Sequence, residues 1–125
     1  MTGPQPQSTR MRVLERYFEA IRARAWEDLA DCLAPDVRRT GPYRDVIAGR
    51  EAYVAFLARV VPALRNHALE VSRIRWLTDG GALVELSEFV DVDAVRTEFP
   101  EALIFEFDAT GRIRQIDIYL MQAPR

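Results

Sequence analysis

Ala102-Leu-Ile-Phe-Glu-Phe107, then Asp108-Ala-Thr-Gly111, then Arg112-Ile-Arg-Gln-Ile-Asp-Ile-Tyr-Leu-Met121 read as two apolar arms around a short Asp/Gly turn. Apolar, aromatic and β-branched residues on both sides of such a turn mark an antiparallel hairpin. Side chains alternate along a strand, so Ile116, Ile118 and Leu120 share one face of the second arm, and Gln115, Asp117 and Tyr119 the other. On the first arm Leu103, Phe105 and Phe107 share a face, opposite Ile104 and Glu106. With one apolar face on each arm, the hairpin is expected to floor a cavity whose lining decides function. The chain upstream must supply the cover.

Upstream, Val13, Leu14, Tyr17, Phe18 and Ile21 recur at helical steps, predicting a helix over about Thr9–Ala23 with Ser8 or Thr9 as its cap. Trp26–Leu33 reads as a shorter helix stopped by Ala34-Pro35-Asp36, and Val37–Thr40 as a strand ended by Gly41-Pro42. Tyr43–Ala48 is extended or looped. Gly49-Arg50-Glu51 opens a third helix whose Tyr53, Phe56, Leu57, Val60 and Leu64 form one stripe, with a kink or early end near Val61 because Pro62 follows. His67–Leu77 and Ala82–Val92 are strands joined by Thr78-Asp79-Gly80-Gly81, a hairpin turn. Asp93–Arg96 turns again, and a strand starting within Thr97–Ala102 leads into the last hairpin. The order is α+β, with helices on one face of a curved sheet.

The sequence has 125 residues, enough for a single domain with its own core. Residues 1–8, with Gly3, Pro4 and Pro6, are expected to be a flexible tail and 9–125 the domain. A net charge of −2 gives no electrostatic reason to expect nucleic acid. One cysteine, Cys32, excludes an internal disulfide; in its apolar helical context it reads as a buried structural thiol. No run reaches transmembrane length and no apolar signal core opens the chain, so a cytoplasmic protein is expected. His67 stands alone at a helix–strand junction, too little for a metal site or a nucleophilic triad. Gly80-Gly81 is a turn rather than a phosphate loop, and Trp26 and Trp76 read as packing residues.

Four segments carry a resemblance. They are Arg16-Tyr-Phe-Glu-Ala20, Leu33-Ala-Pro-Asp-Val37, Ala48-Gly-Arg-Glu-Ala52 and Phe105-Glu-Phe-Asp-Ala-Thr-Gly-Arg-Ile113. In this order and spacing, which spans nearly the whole chain, the sequence resembles the nuclear transport factor 2-like superfamily. That superfamily includes SnoaL-like polyketide cyclases, ketosteroid isomerases and limonene-epoxide hydrolases. The resemblance implies a cone-shaped (cystatin-like) α+β barrel, three N-terminal helices packed on a curved, mostly antiparallel sheet. It also implies a homodimer through the outer sheet face, for which Tyr119, Ile104 and Ile113 are candidates.

The resemblance also places candidate residues. Tyr17 matches the phenol that ketosteroid isomerases aim at a substrate oxyanion, although it reads equally as a core tyrosine with its hydroxyl at the rim. Gly41 and Leu103 stand where that family has its general base and second oxyanion donor, so steroid-isomerase chemistry is not expected. Asp91 matches an aspartate of the epoxide hydrolases, but Phe89 replaces their arginine and Ile118 their other aspartate, so that reaction is not expected either. On that alignment Glu85, Ser87, Phe89 and Asp91 share the concave side, where a desolvated carboxylate suits a general base. Alternatively, and for Glu85 preferably because buried carboxylates are rare without partners, Glu85 and Glu88 read as a solvated or dimer-facing pair, and Asp91 as the start of a turn. Arg39 could face inward and pair with Asp91, or end its strand in solvent.

The functional expectation is a small acid–base enzyme of isomerase, cyclase or hydrolase type, without a cofactor or metal, acting on an apolar oxygenated molecule. Tyr17 would be the donor, Asp91 the base or acid, and Arg39 the charge partner. Phe18, Phe56, Glu85, Phe89, Phe105, Ile116, Ile118 and Leu120 would form the substrate's walls. Beside it stand a non-catalytic ligand-binding or dimeric scaffold protein and a protein-interaction module of the same fold.

Overall fold

Six strands form one mixed sheet in the order β2-β1-β6-β5-β4-β3, with three helices against one face. The computed structural model describes residues 5–121. Its elements are α1 (Gln7–Ala23), α2 (Trp26–Asp31), β1 (Leu33–Thr40), β2 (Val46–Ala48), α3 (Arg50–Ala63), β3 (Ala68–Trp76), β4 (Ala82–Val92), β5 (Val95–Phe107) and β6 (Ile113–Leu120). β1 joins β6 in parallel, while every other pairing is antiparallel. This is the α+β arrangement of helices on a curved sheet that the sequence pattern predicts.

The hairpin behaves as its residues dictate. Asp108 Oδ1 accepts from the Thr110 and Arg112 amides and the Thr110 hydroxyl, closing an Asx turn that leaves Gly111 at φ 89°. Leu103 pairs with Ile118 and Phe105 with Ile116, which stacks the apolar faces of both arms. Phe105 and Ile116 are fully buried, and the Phe105 ring meets those of Tyr17 and Phe18 of α1 edge-on. Burial of this kind is worth about 1.5–3 kcal/mol per large side chain.

Several boundaries differ from the sequence reading. Helix α1 begins at Gln7 behind Pro6, with no side-chain cap, so neither Ser8 nor Thr9 has the capping role. Of the expected tail, residues 1–4 lie outside the described residues, and Gln7 and Ser8 are helical. Pro62 does not stop α3 at Val61: it sits in the last turn, and the helix runs to Ala63. The β4–β5 turn is tighter than expected. Asp93 and Ala94 alone make it, at φ 49° and 65°, the two left-handed residues of a type I′ turn, so β5 starts at Val95. Ile113, expected on the outer face, is fully buried next to Leu33 and the Cys32 carbonyl, while Tyr119 is 58% exposed. Among the described residues no helix is long and apolar enough to cross a membrane.

The apolar stripe of α3 shows where the interior stays open. Only Tyr53 and Val61 of that helix are buried, although Phe56, Leu57 and Val60 point the same way. These side chains border a cavity, with Phe56 and Leu57 also packed against the core.

Candidate functional site

That cavity has a volume of about 200 Å³ and lies between α1, α3 and the concave face of the sheet. Most of its wall is apolar, including Phe18 and Ile21 from α1, Phe56 from α3, and Leu103 and Ile118 from the hairpin. Five polar side chains enter it: Tyr17, Tyr53, Arg39, Glu88 and Glu101.

The two tyrosines face each other from α1 and α3, and their hydroxyls are hydrogen-bonded at 2.6 Å. Both are buried, which drives the Tyr17 pKa well above the ordinary phenol value and that of Tyr53 up to about 12. They are therefore neutral O–H donors at physiological pH. Two hydroxyls carry two protons and one mutual bond uses one of them. Among the described residues neither hydroxyl has another partner, so one O–H remains to offer a ligand.

The carboxylates form the charged end. Leu86 of β4 sits opposite Glu101 of β5, and Glu88 follows two residues along on the same face. Burial would raise Glu88, but the His67 ring N–H bonded to it at 2.7 Å and a hydrogen bond from Glu101 outweigh that and hold it below the usual carboxylate range. Glu101 moves the other way. Burial first, then the hydrogen bond and the negative charge of Glu88, push it up to about 9. At neutral pH the pair is one carboxylate and one carboxylic acid sharing a hydrogen bond, an arrangement in which one group can accept a proton while the other delivers one.

Arg39 comes from β1, only 8% exposed, with Nη1 2.6 Å from Asp45 and the guanidinium 4.9 Å from the Phe56 ring centroid. Its Nε is buried without a hydrogen-bond partner. The Arg39 ion pair holds the Asp45 carboxyl below its usual range.

The structure sorts the residues expected from sequence into three groups. Tyr17, Arg39, Phe18, Phe56 and Ile118 border the cavity. Phe105 and Ile116 are packed beneath it, and Leu120 sits beyond it in a groove beside Tyr119 and Met121. Glu85, Phe89 and Asp91 are not on the concave side. Along β4 it is Val84, Leu86 and Glu88 that point inward, so the odd-numbered positions face out. Glu85 is paired with Arg73 and Arg75, Phe89 lies under Arg96, and Asp91 is bonded to Asn66 and Arg96 at the end of the strand. Arg39 accordingly meets Asp45 rather than Asp91.

Sequence reasoning missed Glu88, Glu101, Tyr53 and His67 as site residues. His67 is not a surface residue: its side chain is 5% exposed. Cys32 is buried, its thiol raised to about 11 by desolvation, which makes it a poor nucleophile. Among the described residues no group of three or more His, Cys, Asp or Glu side chains is placed to hold a metal ion.

Solved structures share this architecture. A protein of Kribbella flavida DSM 17836, provisionally named a ketosteroid isomerase, superposes with a TM-score of 0.79 at 25% identity, covering 94% of this chain and 82% of that one. An LEH-like epoxide hydrolase of M. tuberculosis gives 0.76 at 21% identity, covering 91% and 84%. SalBIII, an epoxide hydrolase/cyclase-like enzyme of pyran ring formation in the polyether salinomycin, gives 0.80 at 16% identity, covering 92% of each chain. No curated protein matches. The model of the SnoaL-like domain matches residues 14–116, and the chain belongs to that family.

Proposed function

We propose that this protein is an acid–base enzyme of isomerase, cyclase or hydrolase type acting on a small, apolar, oxygenated metabolite. The observation that carries the reading is the Glu88–Glu101 pair, two carboxyls on one cavity wall whose proton affinities are driven apart in opposite directions. Glu88 is the base: its carboxylate takes a proton from the substrate or from a water, and His67 fixes its orientation. Glu101 is the acid, holding its proton through neutral pH and returning one to a substrate oxygen or carbon. The spare hydroxyl of the tyrosine pair steadies the oxygen on which charge develops. Apolar walls exclude water and strengthen each of these interactions. Asp91 has no part in this scheme, because it lies outside the cavity.

The kinds of chemistry named for the similar structures, epoxide opening and ring closure, both need a proton delivered and another removed within one small pocket. We further propose a cytoplasmic homodimer through the outer sheet face, with exposed Tyr119 and its half-buried neighbour Ile104 at the contact.

The test is a panel of small epoxides, lactones and enones assayed for turnover, with Glu88→Gln and Glu101→Gln as paired variants. Turnover is expected to fall at least about a hundredfold in each variant, with a bell-shaped pH profile whose alkaline limb lies near pH 9. A wild-type protein that binds members of the panel and converts none of them would replace this reading with that of a ligand-binding protein.

A further inference from the structure

Arg39 is a buried cation with an unused donor. Its side chain is 9% exposed, Nη1 is committed to Asp45, one face covers Phe56, and the buried Nε has no partner. A guanidinium cannot shed its proton to relieve this. The desolvation cost is recovered only when an acceptor enters the cavity.

Gly41 explains why the group is held there. A Cβ at that position would stand 2.7 Å from both Arg39 Nη1 and Asp45 Oδ2. The ion pair closes over Gly41 because no side chain intervenes. Asp45 stays half exposed and is not part of the cavity wall, so the guanidinium is anchored through Nη1 from the solvent side while its Nε has no partner.

Two groups with a donor to spare therefore line one cavity: Arg39, whose Nε–H has no acceptor, and the Tyr17–Tyr53 hydroxyl pair. The same cavity already holds the Glu88 carboxylate. A ligand carboxylate would add a second negative charge to a space of low dielectric, whereas a neutral carbonyl oxygen accepts from both donors and adds none. About 200 Å³ accommodates roughly seven waters at ~30 Å³ each, room for a ring-sized molecule.

We infer that Arg39 is the specificity-determining residue of this cavity and holds the carbonyl oxygen of a neutral, ring-sized ketone or ester. The inference rests on reading the cavity as a ligand site and is independent of turnover. A matched trio tests it: acetophenone has the carbonyl, benzoate the anion, and ethylbenzene the same shape with no acceptor.

Wild-type protein is expected to bind acetophenone about tenfold to a hundredfold more tightly than ethylbenzene by calorimetry. Arg39→Met should remove that preference and leave ethylbenzene affinity unchanged. Equal affinity for the two, a preference that survives in Arg39→Met, tightest binding of benzoate, or binding of none would overturn the inference. Should Arg39→Met fail to fold, the infrared carbonyl stretch of bound acetophenone decides between wild type and Arg39→Lys. A lower frequency in the wild type supports contact with the guanidinium, and identical frequencies refute it. Loss of turnover in the Glu88 and Glu101 variants alongside no carbonyl preference would sink this inference alone.

Discussion

Glu101→Gln should make the protein more stable at neutral pH while removing its proposed acid. Glu101 binds its proton more tightly in the folded chain, at about 9, than the ordinary glutamate value of 4.5. Between those values the unfolded chain loses the proton first. Stability from this group is therefore complete below pH 4.5 and lost as pH rises towards 9. At pH 7, about 2.5 units into that window, the full effect at about 1.36 kcal/mol per unit is about 3.4 kcal/mol. Glu101 is only half-buried and therefore partly screened by solvent, so we expect about 2 kcal/mol. Glutamine is a permanent stand-in for the neutral acid, and its amide N–H still donates to Glu88. Urea denaturation of both proteins at pH 4, 7 and 9 should give nearly equal stabilities at pH 4. At pH 7 the variant should lead by about 2 kcal/mol, or about 8 °C in melting temperature, with a wider gap at pH 9. Parallel stability curves, or a variant less stable at pH 7, would refute a neutral Glu101 and with it the assignment of acid and base.

Two further outcomes follow from the same geometry. Replacing His67 by Ala removes the N–H that holds Glu88 down while leaving the desolvation that pushes it up, so the Glu88 carboxyl should titrate at higher pH in the variant, read directly by carboxyl carbon NMR. Ala94→Gly relieves a left-handed residue of the β4–β5 turn that carries a Cβ, and should stabilise the fold by about 0.5–1 kcal/mol in urea denaturation after the extra freedom of glycine in the unfolded chain is discounted.

The scaffold was legible because its signals are local. An Asx turn, a Gly-Gly turn and two helical stripes each act within a few residues, and their order leaves few ways to pack. The charged end of the cavity was hidden by parity. A strand shows two faces one residue apart, and choosing the wrong face exchanges every side chain between cavity and solvent. Following the match at Asp91 selected Glu85, Phe89 and Asp91, yet the alternate set, Val84, Leu86, Glu88 and Val90, is the more apolar one. A buried sheet face has to be the apolar face, so the informative residue in β4 was the carboxylate interrupting that run. β5 obeys the same logic: the face carrying Leu103, Phe105 and Phe107 continues back to Glu101.

His67 could not be found this way. Its partner, Glu88, lies 21 residues away, and the contact exists only because β3 and β4 pair in a particular register. Tyr53 was visible as an apolar-stripe residue, but its polar role depends on a hydroxyl from a different helix, 36 residues earlier in the chain. Where a site is made of carboxylates set into apolar strands, periodicity can name the carboxylates. The hydrogen-bond partners that drive their proton affinities apart are long-range, and those partners turn two ordinary glutamates into a base and an acid.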